Sequence, residues 1–141
     1  MIDPRGLRFA AAVTTAVLAL VLLTGSAWLL AAQTAVFAIG AVAGVAASPY
    51  GRLFARVVRP RLDPPTHFED SRPPRFAQAV GLLFAAAGLA GFAAGWTAVA
   101  YVAVGAAFAA AFLNAAFGFC LGCEIYLAIR RVTPRLTEVT R

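Results

Sequence analysis

The chain carries 141 residues, of which 62% are apolar and 13% charged, with a mean hydropathy of +0.82 and a net charge of +6. Soluble domains hold about 25% charged residues because a surface facing water needs them, so these proportions exclude a soluble globular domain and point to an all-α membrane protein. The positive charge does not indicate a nucleic-acid partner, since no basic run interleaved with aromatic residues lies on a soluble face.

No Asp, Glu or Arg occurs between Arg8 and Arg52, or between Arg75 and Glu124, and each gap exceeds forty residues. A membrane span needs roughly 20 apolar residues to cross a ~30 Å hydrocarbon core, so each gap holds two. The turn-like stretches "TGSAW" at 24–28 and "GFAAGW" at 91–96 divide them. The expected spans are 7–24, 27–47, 76–93 and 96–117: a single domain over 1–141 of four short transmembrane helices in two hairpins. The first segment, with Arg5, Arg8 and "GSA", also resembles a signal peptide. Because the sequence starts at Met1, it is read as a retained span.

All basic residues are arginines, in three groups: Arg5 and Arg8; Arg52, Arg56, Arg59, Arg61, Arg72 and Arg75; and Arg130, Arg131, Arg135 and Arg141. Neither hairpin turn holds one. Positive residues stay on the cytoplasmic side, so both termini and the central loop, 48–75, are expected there. Trp28 and Trp96 then fall at the outer turns and Tyr50 and Tyr126 near the inner boundary, at headgroup level.

The central loop opens with "SPYGRLFARVVRPR". Ser48 is a helix cap and Pro49 suits the first turn. A short amphipathic interfacial helix should follow, with Arg52, Arg56 and Arg59 toward lipid phosphates and Leu53, Phe54, Val57 and Val58 opposite. Pro60 should end it. The stretch "LDPPTHFEDSRPPR" is too rich in proline for regular structure and is expected to run extended, with His67 solvated or hydrogen-bonded and outside any chemistry.

Small residues crowd the spans: Gly40 and Gly44, Gly81 and Gly88, Gly91 and Gly95. They let helices approach closely within the bundle; the alternative use is a homodimer face. Gln33, Thr34 and Asn114 are the polar intramembrane groups, each expected to hydrogen-bond between helices. No ionisable residue marks a substrate path at mid-membrane.

The segment 118–141 holds Cys120 and Cys123, and the fourth span should deliver them to the cytoplasmic surface before a polar tail. On a helix they share a face, with Glu124 beside Cys120. If Gly118 ends the span and a new helix starts near Cys120, its dipole lowers that thiol's pKa, making Cys120 the nucleophile and Cys123 its resolving partner. A permanent disulfide does not suit a reducing cytoplasm. A zinc site needs about four ligands, and one chain offers two cysteines with Glu124 or His67, so neither metal nor cofactor is expected; a dimer would be required for an all-thiolate site. Two small residues packed at a helix end form the bland alternative. Arg72, Arg75, Arg130 and Arg131 are candidates for making the site electropositive and for binding an anion, or else for binding phospholipid headgroups.

The stretches "IDPRGLRFAAAVT", "SPYGRLFARVVRPRL", "FEDSRPPRFAQAVG" and "FGFCLGCEIYLAIRR" resemble the DUF4395 family of small bacterial membrane proteins across nearly the whole chain. The "RPPRFAQ" and "GFCLGCEIY" blocks are the most specific. The family has no assigned activity. Its members often sit beside thioredoxin-like proteins and rhodanese-type sulfurtransferases in actinobacteria, so the resemblance implies a multi-pass protein of the bacterial plasma membrane with a role in thiol redox or sulfur metabolism and a cytoplasmic partner of one of those kinds. Three function classes follow: a membrane dithiol that exchanges disulfides or relays sulfur, a small transporter or channel subunit for a sulfur compound, and a non-catalytic scaffold. Quinone-coupled oxidoreduction is a further class, weakened by the lack of a second cysteine pair. Nothing resembles a nucleotide loop, a catalytic triad or a haem-binding histidine pair.

Overall fold

The computed structural model describes residues 2–139, with side chains through Thr133; Arg141 and the side chain of Arg135 lie outside the described residues. Among these, helices account for the structure and no strand forms, apart from an antiparallel bridge between Ile2 and Glu69.

The first helix, α1 (Pro4–Thr24), starts where Asp3 accepts the Arg5 N–H at 3.0 Å and Pro4 fills the first turn, and it closes on Gly25 in the left-handed region. Ser26 then caps α2 (Ala27–Ala43) by accepting the Leu29 N–H. The expected span to 47 stops at Ala43, because Gly44 takes φ 98°, ψ 157° and breaks the helical ladder. A 3-10 turn, Val45–Ala47, leads to Ser48, which caps α3 (Pro49–Leu53) as the sequence indicates.

Beyond Leu53 the chain stays helical but irregular, with a π turn at Phe54–Val58 and a 3-10 turn at Arg59–Arg61. Pro60 therefore sits inside the last turn, and Leu62 ends it. Arg52, Arg56 and Arg59 are exposed, as expected of an amphipathic segment. The expected apolar side divides: Leu53 and Val57 are exposed and Val58 half-buried, whereas Phe54 is buried against Gly6 and Phe9, Ser48 is buried, and Tyr50 donates to Gln33 Oε1 at 2.7 Å. Burial pushes the Tyr50 phenol up, which keeps it a donor.

The proline-rich connector is extended only as far as Ser71. The fourth helix, α4 (Arg72–Ala94), begins earlier than the expected residue 76, because Pro73 and Pro74 occupy first-turn positions whose N–H groups would have no helical partner anyway. The Asp70 carboxylate supports this start by accepting the Arg72 N–H at 3.0 Å. After Gly95, α5 (Thr97–Phe117) returns to the level of Gly118, close to the expected 96–117. The tail then forms a sixth helix, α6 (Leu121–Val139).

Four helices form a ring in the order α1, α2, α4, α5, each antiparallel to its neighbours. The side chains of Leu18, Val21, Leu30, Phe37, Ala85, Val104 and Ala107 form its core. Glycines serve packing within this bundle. A Cβ on Gly81 would meet the Phe37 ring, and one on Gly91 would meet the Ala100 backbone nitrogen at 2.9 Å. Outward-facing residues such as Leu23, Trp28, Leu83, Val102 and Phe117 are exposed and apolar, a surface suited to lipid. By length and composition α1, α4 and α5 are each able to cross a membrane, whereas α2 has 17 residues.

The arginines gather at one end of the bundle, here the basic end; the end bearing Trp28 and Trp96 is uncharged. Two arginines close the helix C-termini there. Arg75 donates to Val42 O at 2.6 Å and Ala41 O at 3.3 Å, and Arg8 to Ala115 O at 3.2 Å and Ala116 O at 3.4 Å. The last carbonyls of a helix have no partner within it, and a cation there also opposes the helix dipole. The connector is tied to the N-terminus by the Ile2–Glu69 bridge and by Arg5 donating to Asp63 O.

Candidate thiol site at the start of the sixth helix

Gly118 makes this site. With φ 68° it reverses the chain after α5, its N–H bonding Asn114 O at 2.9 Å and the Phe119 N–H reaching back to Leu113 O at 3.3 Å. These bonds satisfy two carbonyls of the last turns of α5, with each bond one residue wider than in a Schellman ending. Three residues later the chain is helical again, and Cys120 stands at the N-cap of α6. Its carbonyl accepts the Glu124 N–H at 3.0 Å, and its sulfur accepts the Cys123 N–H at 3.2 Å.

Cys120 and Cys123 are joined as a disulfide with Cα atoms 5.2 Å apart. Both are half-buried. The Cys120 sulfur lies at the N-terminal end of α6. Between the cysteines, Gly122 rests on α4: a Cβ there would meet Ala77 Cβ at 2.6 Å. One turn on, Tyr126 packs on Phe76 with ring centroids 5.6 Å apart, so α6 is docked on the first turns of α4.

The other expected site residues divide. Arg130 lies over the Tyr126 ring at 5.9 Å. Arg72 pairs with Asp70 at 2.8 Å and holds that carboxyl down at about 2. Asp70 also feels the charge of Arg130, so these residues form one exposed cluster beside α6. Arg75 is turned away to cap α2, and Arg131 is exposed. Glu124 is exposed on the first turn of α6, and among the described residues its carboxylate bonds to neither cysteine.

The intramembrane polar groups also depart from expectation. Gln33 does bond across elements, through Tyr50, but Thr34 returns its hydroxyl to Leu30 O in its own helix, and among the described residues the Asn114 side chain has no hydrogen-bond partner. His67 is exposed next to Thr66 in the connector. Among the described residues no three of His, Cys, Asp and Glu cluster as a metal site.

The glycines at 118 and 122 permit a break or a close approach by another backbone, and the structure uses Gly118 for the first and Gly122 for the second. Sequence reasoning passed over Arg8 as a site residue, whose guanidinium lies 3.9 Å from where a Gly118 Cβ would be. Arg8 carried no signal, because its partners are more than a hundred residues away.

The family model for DUF4395, a domain of unknown function, matches residues 2–131. The chain belongs to this family. Neither a curated protein nor a solved structure matches it.

Proposed function

We propose that this DUF4395 protein is a thiol–disulfide exchange protein of the bacterial plasma membrane, with four helices crossing the bilayer and the basic end, including the CxxC, on the cytoplasmic side. The single observation that carries the reading is the Cys120–Cys123 pair: joined, half-buried, and with Cys120 at the cap of a helix. The gathering of arginines at one end supports the orientation, and 17 residues in α2 fall within the ~17–25 that span a bilayer.

The partner is a soluble dithiol protein of the thioredoxin-like class. Its thiolate attacks Cys123 Sγ, a mixed disulfide forms, and the Cys120–Cys123 bond breaks with its electron pair leaving on Cys120. The partner's second thiolate attacks its own sulfur in the mixed disulfide, releasing Cys123 as thiolate. Two electrons pass from partner to membrane protein, and the partner leaves as a disulfide. Cys120 here departs where the sequence cast it as attacker, because a leaving thiol of lower pKa leaves faster and Cys120 is the sulfur at the helix start.

Alkylation trapping in cells tests this. The pair is expected to shift between thiol and disulfide forms on oxidant treatment, and a thioredoxin whose second cysteine is replaced by serine is expected to stay on Cys123 as a stable mixed disulfide. A pair that stays in one form under both conditions, with no adduct to that partner variant, refutes exchange chemistry. Membrane-impermeant maleimide added to right-side-out cells should fail to label the reduced pair; efficient labelling would reverse the orientation.

A further inference from the structure

The basic half of the bundle encloses a cavity of about 270 Å³, lined by α1, α2, α4, α5 and the first turn of α6. Cys120 lines it and Cys123 does not. Its walls are mainly alanine, glycine and other apolar side chains, with three polar exceptions: Thr14, Gln78 and Asn114. Thr14 is 6% exposed. Among the described residues, none of these three side chains makes a hydrogen bond. The contrast with other helical threonines is sharp: Thr15, Thr24 and Thr34 each bond the carbonyl four residues earlier, at 2.6–2.7 Å. Buried polar groups are normally satisfied; Thr14 is buried and unpartnered, Gln78 and Asn114 are half-buried, and three donors without partners around one cavity point to a ligand that accepts hydrogen bonds.

The cavity is open toward the bilayer. Phe84 on α4 and Ala106 on α5 both line it and both are exposed, and each lies near the middle of its helix. At 1.5 Å per residue, Phe84 stands about 18 Å from the start of α4. A ligand entering there comes from the hydrocarbon layer, not from water.

We infer that this cavity binds the headgroup of a membrane quinone, which withdraws electrons from the reduced Cys120–Cys123 pair. A quinone is lipid-soluble, its two ring carbonyls accept hydrogen bonds from the hydroxyl of Thr14 and the amides of Gln78 and Asn114, and it takes up two electrons, the number a dithiol releases. The volume lies just under the ~300–1,000 Å³ of ligand sites and accommodates a substituted ring while its tail leaves past Phe84 and Ala106. The inference rests on the exchange reaction above and supplies its electron acceptor.

The step balances. The Cys120 thiolate adds to a ring carbon, forming a C–S bond. The Cys123 thiolate then attacks Cys120 Sγ; the S–S bond forms, the C–S bond breaks, and its electron pair stays on the ring. Two protons, one from each thiol, end on the two ring oxygens. Dithiol and quinone become disulfide and quinol, and one cysteine pair suffices because the soluble partner reloads it.

The test uses the full-length protein in lipid nanodiscs, reduced, freed of reductant and mixed with a short-tailed ubiquinone analogue whose ring is fully substituted. One quinone should be consumed per protein as both thiols disappear. Thr14→Val and Asn114→Leu should each raise the quinone KM about tenfold while reduction of the disulfide by thioredoxin is unchanged. Ala111→Leu, which fills the cavity without removing a polar group, should raise it as well. If thioredoxin reduces the disulfide but quinone never reoxidises the thiols, the quinone site is wrong and the exchange function stands. Oxidation at the wild-type KM in all three variants places the reaction outside the cavity and also overturns the site. Inertness toward both reagents overturns the exchange reading with it.

Discussion

The two ends of this bundle are built from the same alanine, glycine and leucine vocabulary and reach opposite results. At the uncharged end the four helices meet one another directly: Gly91 lies on the Ala100 backbone, and Gly88 lies between the Leu30 and Val104 side chains. At the basic end two further segments join them, α3 seated against α1 and bonded to α2 through Tyr50, and α6 docked on α4 through Gly122. The difference teaches that the same small residues serve helix-to-helix contact at one end and the docking of connecting segments at the other. A closed end anchors the ring and an open end leaves a cavity with a disulfide at its rim.

Disturbing the closed end should have the largest effect. Gly91→Leu places a side chain against the Ala100 backbone, which cannot yield, and should destabilise by about 3 kcal/mol, the upper part of the overpacking range, measured by denaturant titration in detergent. The equivalent enlargement at the open end, Ala111→Leu, should change stability by less than ~1 kcal/mol because it enters existing space; a loss equal to that of Gly91→Leu would erase the distinction between the ends.

Next comes the tie between α3 and α2. Tyr50→Phe leaves the buried Gln33 without its phenolic donor, and Gln33 Nε2 is already unpartnered. A cost of about 2 kcal/mol is expected, read by the same titration, with faster proteolysis in the segment 48–61. Smaller still is Arg8→Gln, which weakens the closure of α5 by roughly 1 kcal/mol; since that closure sets the start of the Gly118 reversal, maleimide labelling of the reduced Cys120 should change in rate more than stability does.

The smallest effect is a pH dependence of the exposed cluster. The Asp70 carboxyl is lowered from 3.8 to about 2 by hydrogen bonds from Arg72, so its contribution is present above pH 4 and is lost as pH falls through about 2. Wild type should exceed Asp70→Asn in stability at pH 5, and the two should converge near pH 2. A difference that grows on acidification would reverse the sign.

Much of the fold was legible because it is written locally. Asp3, Ser26 and Ser48 cap the helices that follow them, Gly25, Gly95 and Gly118 end those that precede them, and the charge-free gaps locate the apolar helices. Two boundaries escaped: the reading of Gly44 as a packing glycine misses that it breaks α2, and the reading of Pro73 and Pro74 as part of an extended connector misses that they lie in the first turn of α4. In both cases the residue type allows two structures, and neighbouring contacts choose between them. The site was half legible. The helix start at Cys120 followed from Gly118, while the places of the four arginines did not: Arg72 and Arg130 share the Asp70 cluster, Arg75 caps α2, and Arg131 is exposed.

By itself the sequence determined the apolar character, the helix ends and the sulfur pair at a helix cap, because each depends on residues within one or two turns. Only the tertiary structure decided that Arg8 closes a helix 107 residues away, that Gly122 meets Ala77, and that Thr14, Gln78 and Asn114 surround the same space as Cys120. Those are distances between helices, set by side-chain volumes packed in three dimensions, and no local pattern encodes them.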